Sequence, residues 1–214
     1  RREEIRNLRL ETASRDNQLN TLRAQMNPHF MFNALNGIRA LVDEDPEKAK
    51  RAITQLSAIL RNAMATVKRG VVPLGEEIDI VKAYLELEHM RFEERLRYTF
   101  DVPVELEREQ VPPMLLQTLV ENAVRHGIAP LVNGGDLHII ARRTPEGLDL
   151  VVRNTGRYTP GEVRGNGIGL KNTRKRLAMI YGGLARFEIV NVEGCVESRV
   201  HVPLRTEAVL TDPS

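Results

Sequence analysis

Leu119-Val120-Glu121-Asn122-Ala123-Val124-Arg125-His126-Gly127 follows Pro112-Pro113 and the apolar run Met114–Leu116. The stretch predicts a helix from Met114 to about His126, with Leu115, Leu116, Leu119 and Val120 on its core face. Asn122, Arg125 and His126, three and four residues apart, share a second face near its C-terminal end. An amide oxygen there can ligate Mg²⁺ and a guanidinium can meet a phosphate, although a solvated helix end carries the same residue types. Downstream, Leu137–Arg142 and Leu148–Arg153 alternate around Pro145-Glu146-Gly147, and Ala185–Val192 and Val196–Pro203 around Glu193-Gly194. Period-two alternation broken by turn residues predicts two β-hairpins. Tyr98–Val102 is also strand-like, and a helical pattern covers Leu170–Tyr181. Antiparallel strands on one side and helices on the other make an α+β two-layer sandwich.

Upstream the periodicity is helical. Ile5, Thr12, Leu19 and Met26 recur every seven residues with Leu8, Arg15 and Leu22 between them, which predicts a coiled-coil entry over 1–26; a lone amphipathic helix fits the same spacing. Pro28 removes a backbone donor and predicts a kink. Phe30, Ala34, Ile38 and Leu41 restart an apolar face, and Asp45-Pro46-Glu47 is a helix start: a capping acid, proline at the first helical position, acid in the first turn. The helix that follows carries Ala49, Ile53, Leu56, Leu60, Met64 and Val67 on one stripe. A two-helix hairpin has too little core of its own, so two copies pairing into a four-helix bundle is the expected arrangement. Gly70 to Gly75 is a break before a third helix over 76–94. The expected division is a dimerising hairpin over 1–70, an α/β domain over 71–206 and a frayed tail over 207–214.

Composition narrows the function classes. With 31 Lys+Arg against 29 Asp+Glu and 42% hydrophobic residues, the 214-residue chain is too apolar for a disordered tail and offers no basic surface for direct nucleic-acid binding. Cys195 is the only cysteine, which excludes an intrachain disulfide and a two-cysteine metal site. No run approaches 18 apolar residues and no signal peptide opens the chain, so a cytoplasmic fragment of a longer protein, with or without a membrane anchor elsewhere, is expected.

Three further constellations carry chemistry. Gly165-Asn166-Gly167-Ile168-Gly169-Leu170 opens a helix, where free N–H groups and backbone access suit a polyphosphate; a flexible connector reads the same way. Asn154-Thr155-Gly156 ends a strand, where a polar side chain followed by glycine can read a base edge or simply make a turn. In Asn27-Pro28-His29-Phe30-Met31-Phe32-Asn33 the imidazole stands beside the apolar stripe, at the margin where a nucleophile can meet a large phosphate donor; a solvated histidine is the bland reading.

Together and in this order the four resemble the cytoplasmic core of LytS/YehU-type sensor histidine kinases, over about Leu22 to Pro203. Gln25–Asn33 is similar to that family's phosphoacceptor box, Leu119–Gly127 to its N box, and Gly165–Leu177 to its glycine-rich box and the helix after it. The resemblance implies a histidine-phosphotransfer hairpin in a homodimer and an ATP-binding sandwich of the GHKL (Bergerat) type. It implies autophosphorylation of His29 by ATP and transfer to an Asp on a response-regulator receiver domain, with a LytTR-type regulator the family expectation. An upstream sensor domain is expected outside this chain. By the same likeness Asn122 ligates Mg²⁺, Arg125 contacts phosphate where relatives place a Lys, and His126, Gly156, Leu170 and Lys171 bind nucleotide. Gly165, Gly167 and Gly169 shape a mobile lid.

Two departures matter. Asn154 stands where the family has an Asp that accepts from the adenine amino group. Phe30 follows His29 where several other kinase families have an acid, which leaves Glu121 as a remote candidate base and Asn33 as a candidate to orient water in a phosphatase step. The alternatives are a nucleotide-binding signalling dimer with weak or no kinase activity, supported by Asn154, and a GHKL ATPase acting as a clamp or serine kinase, which leaves His29 unexplained.

Overall fold

The computed structural model describes residues 28–66, 69–159 and 168–203. The expected coiled coil over 1–26, the kink before Pro28, Gly165, Gly167 and the tail lie outside them. The chain divides into two units: one holds the hairpin and Ile78–Glu93, the other Val71–Glu77 and everything from Glu94 onward.

In the first unit, α1 (Pro28–Glu44) and α2 (Pro46–Thr66) are joined by Asp45 alone. The Asp45 carboxylate accepts the Lys48 N–H at 3.0 Å, and this bond holds the carboxyl below its ordinary range. Phe30 and Ile38 of α1 are buried, as are Ala49, Ala52, Leu56 and Ile59 of α2. The buried stripe of α2 thus runs through Ala52 and Ile59, not through Ile53, because two small alanines let the helices approach. Phe32, Leu35, Val42 and Ile53 are each half exposed or more, which leaves a second apolar stripe on the hairpin. The third helix, α3 (Leu74–Phe92), sends Tyr84 against Phe30, with ring centroids 4.8 Å apart, and Glu86 to the Gln55 amide.

The second unit is a five-stranded sheet. Its strands are β2 (Leu96–Asp101), β4 (Gly135–Arg143), β5 (Gly147–Thr155), β6 (Arg186–Val192) and β7 (Cys195–Pro203), in the order β2-β4-β5-β7-β6. A short ribbon pairs β1 (Val72–Pro73) with β3 (Gln110–Val111), and α4 (Leu115–Asn122) and α5 (Ile168–Tyr181) pack on one sheet face. The α+β sandwich is the expected one, with one correction. The sheet is mixed, because β2 pairs with β4 in parallel, Leu96 opposite Gly135. The chain between them carries β3 and α4, a crossover in place of the tight turn that an antiparallel pair needs. The other three pairings are antiparallel, and the β4–β5 and β6–β7 hairpins close where the turn residues predict.

Alternation sorts the strands. Leu137, Ile139, Ala141, Leu148, Leu150, Val152, Val200 and Val202 are buried, as are Leu115, Leu116, Leu119 and Val120 of α4 and Leu177 of α5. The opposite face carries ion pairs, Arg97 with Asp136 at 2.8 Å and Glu197 between Arg153 and Arg199, and a hydrogen bond between His201 Nδ1 and Asp149 at 2.6 Å.

Candidate functional site

At the end of β5 the inner face of the sheet turns polar. Asn154 follows the inward series Leu148, Leu150 and Val152, so register buries its amide. It is 3% exposed, and its Nδ2 donates to the Thr155 carbonyl at 2.9 Å. Directly over it lies Gly127. A Cβ on Gly127 would stand 2.0 Å from Asn154 Nδ2 and 2.8 Å from Cγ, so only glycine fits. Gly156, at φ +132°, then leaves the strand in a conformation that side chains rarely adopt, its N–H donating to the Gly194 carbonyl at 3.3 Å.

The predicted single helix over Met114–His126 is two pieces. Met114 sits at φ 58° before α4, and after Asn122 the backbone widens into a π-helical turn over Ala123–Ile128. Such widened turns re-aim side chains and are frequent at functional sites. Asn122, the last residue of α4, donates from Nδ2 to the Thr118 carbonyl at 2.7 Å, which leaves its oxygen as the atom for a cation. His126, in the wide turn, has its imidazole pKa lowered by burial and then by the charge of Arg125.

These parts meet in one cleft lined by Asn122, Ala123, His126, Gly127, Asn154, Arg157, Tyr158, Leu170, Ile189, Val196 and Ser198. Gly169 does not line it but lies close to Thr118 and Asn122: a Cβ there would come 3.2 Å from Thr118 Cγ2, and its carbonyl accepts the Thr173 hydroxyl at 3.0 Å. Of the site residues expected from sequence, Asn122, His126, Asn154 and Leu170 converge here, joined by Gly127 of the same box as Asn122. Arg125 and Lys171 are exposed and are not among the lining residues. Glu121 is half-buried, does not line the cleft either, and accepts the Gln117 amide at 2.9 Å. Positions 29 and 33 lie in α1, in the other unit, and their side chains are outside the described residues.

Sequence reasoning missed Arg157 and Tyr158. Their placement depends on Asn191, whose Oδ1 accepts the Tyr158 N–H and whose Nδ2 donates to the Tyr158 carbonyl, both at 2.8 Å. A side-chain amide here imitates a neighbouring strand, and no local spacing announces such a pairing. Ile189 and Val196 were findable from strand alternation alone.

The donor set fits a nucleotide: a buried amide for a base edge, apolar walls at Ala123, Leu170, Ile189 and Val196, and glycines that let backbone come close. Among the described residues no group of three His, Cys, Asp or Glu side chains could hold a metal by itself. One amide oxygen suits Mg²⁺ that arrives with phosphates and keeps most of its waters, as Mg²⁺ commonly does.

A histidine kinase family model matches residues 17–96. The chain is 34% identical over 203 residues to the sensor protein LytS of Enterococcus faecalis, covering 89% of this chain and 34% of that protein. It is 39% identical over 166 residues to the sensor histidine kinase BtsS of Escherichia coli, covering 77% of this chain and 29% of that one. The chain thus spans about a third of the length of these relatives. Among solved structures, the catalytic domain of the histidine kinase ThkA superposes with TM-score 0.51 at 20% identity, over 63% of this chain and 94% of that one, which establishes a shared fold.

Proposed function

Over most of its length the chain is a homologue of the LytS-type sensor histidine kinases, and on that premise we propose that it is a kinase core that autophosphorylates His29 from ATP and passes the phosphoryl group to an aspartate of a receiver domain. The observation that carries the reading is the convergence of Asn122, Gly127, Asn154 and Leu170, from three separate sequence boxes, on one cleft. When bound, Mg·ATP supplies the transferable phosphoryl group and the charge neutralisation that phosphoryl transfer needs. The chain's own residues do the rest. The Asn154 oxygen accepts from the exocyclic amino group of adenine, Ala123, Leu170, Ile189 and Val196 exclude water from the base, and the Asn122 oxygen orients the metal. His29 offers a ring nitrogen as nucleophile. No acid follows it in sequence, so Glu121 is the proposed remote base, and Asn33 the proposed group for a phosphatase step.

The second apolar stripe, Phe32, Leu35, Val42 and Ile53, supports pairing with a second copy of the hairpin in a four-helix bundle. Among the described residues no helix is long and apolar enough to cross a membrane. A cytoplasmic place for this part of the protein, beneath an upstream sensor, is part of the proposal.

Incubation with γ-³²P-ATP and Mg²⁺ is expected to label the protein with phosphate that is lost in acid and kept in alkali, as a phosphoramidate is. ATP bound without any label favours the non-kinase signalling dimer for which Asn154 speaks, and acid-stable label the serine-kinase alternative. Asn154→Asp is expected to tighten an ATP analogue about fivefold, since a charged acceptor gains roughly 1 kcal/mol over a neutral one. The same change lowers the melting temperature, because the carboxylate then faces the Thr155 carbonyl that the amide now serves. Calorimetric titration and a thermal melt check both; unchanged affinity removes Asn154 from base recognition.

A further inference from the structure

Glu77 lies in the first turn of α3, where an acid ordinarily faces solvent at the positive end of the helix. Here it is 1% exposed. Its Oε1 accepts the Met114 N–H at 2.6 Å, and its Oε2 accepts those of Leu116 at 3.0 Å and Gln117 at 3.4 Å. These are the donors at the start of α4. Met114, at the N-cap position, provides no side-chain cap of its own and is left-handed without being glycine. A helix start needs only a Ser, Thr, Asp or Asn at the cap, so a carboxylate brought in from another helix exceeds what local stability asks.

A second group grips the same corner. Arg176, on α5, donates from Nη1 to the Pro113 carbonyl, and its charge acts on Glu77. Burial nevertheless pushes the Glu77 carboxyl up to about 7, against the pull of the three amides and of Arg176. From this corner α4 runs to Asn122 at the cleft, and Thr118 and Asn122 meet the start of α5 at Gly169.

We propose that Glu77 is a positioning residue for the nucleotide cleft: by holding the start of α4, with Arg176 holding the adjoining carbonyl, it fixes where Asn122, Gly127 and the start of α5 stand. The functional half of this rests on the nucleotide-binding reading above; the positional half does not.

Glu77→Gln keeps the volume and removes the charge. At pH 8, where the wild-type carboxyl is ionised, the variant is expected to keep the wild-type circular dichroism. Without nucleotide, its amides at Ala123–Ile128 and over 169–177 are expected to exchange about tenfold faster, the change one charge-assisted bond accounts for. Binding of a fluorescent ATP analogue weakens by a similar factor, about tenfold. Exchange altered only at 114–117, with affinity within about twofold of wild type, overturns the proposal and leaves Glu77 a local cap. If the wild-type protein binds no analogue, the nucleotide reading falls, and the exchange pattern still decides whether Glu77 places α4. Should Glu77→Gln not fold, Arg176→Met tests the same corner from α5. It is expected to shift both readouts in the same direction by about threefold, and no shift in either overturns the proposal.

Discussion

His29→Gln is expected to reduce acid-labile labelling from ATP to background while leaving analogue affinity within about twofold of wild type. The reasoning is chemical. A phosphoramidate needs a ring nitrogen with a lone pair; a glutamine amide keeps hydrogen-bonding capacity and bulk but has no nucleophilic nitrogen, since its lone pair is delocalised into the carbonyl. Affinity persists because position 29 belongs to α1 in the hairpin unit, whereas Asn122, Gly127 and Asn154 belong to the sheet unit. Autoradiography with an acid wash, paired with titration of the analogue, separates the two effects. Label that survives the substitution moves the acceptor elsewhere. Loss of label together with loss of binding means that residue 29 acts on the cleft itself.

Gly127→Ala is expected to abolish measurable nucleotide binding and to lower the melting temperature by roughly 5–10 °C. The added methyl would lie 2.0 Å from Asn154 Nδ2, so either the buried amide or the wide turn must move. Overpacking of this kind costs about 1–3 kcal/mol, and the amide also loses its bond to the Thr155 carbonyl. At about 2–4 °C per kcal/mol for a chain of this size, the drop follows. The cleft loses its polar floor and its backbone approach in one step. Asn154→Ser in the Gly127→Ala background shortens the side chain beneath the methyl and is expected to recover most of the stability but not the affinity. A double variant that recovers both places the base contact somewhere other than Asn154.

Much of this molecule is written in its periodicities. The β4–β5 and β6–β7 hairpins, the Asp45-Pro46 helix start and the apolar face of α1 follow from spacing and turn chemistry, which act over a few residues. Three features escape such rules. The parallel seating of β2 on β4 is decided by a long crossover, not by any turn beside it. The buried face of α2 shifts onto Ala52 and Ile59 because close helix approach outweighs the size of Ile53. Met114 opens α4 in the left-handed region with its donors answered by Glu77 from another helix, and the turn after Asn122 widens, neither of which helical spacing announces. Within the cleft, Asn122, Gly127 and Asn154 were legible as box residues, whereas Tyr158 was not, since Asn191 holds it from 33 residues away.

The side-by-side seating of β2 and β4 also sets a timetable for self-assembly. Arg97 and Asp136 are 39 residues apart, and the chain between them includes α4 and the wide turn. Neighbouring-in-sequence strands zip first, while a partner that closes so large a loop must wait until the entropy of closure is offset by surface already condensed around it. β2 is thus expected to join β4 after the β4–β5 hairpin has formed, and as a nascent chain lengthens it emerges early with no strand partner until β4 is made.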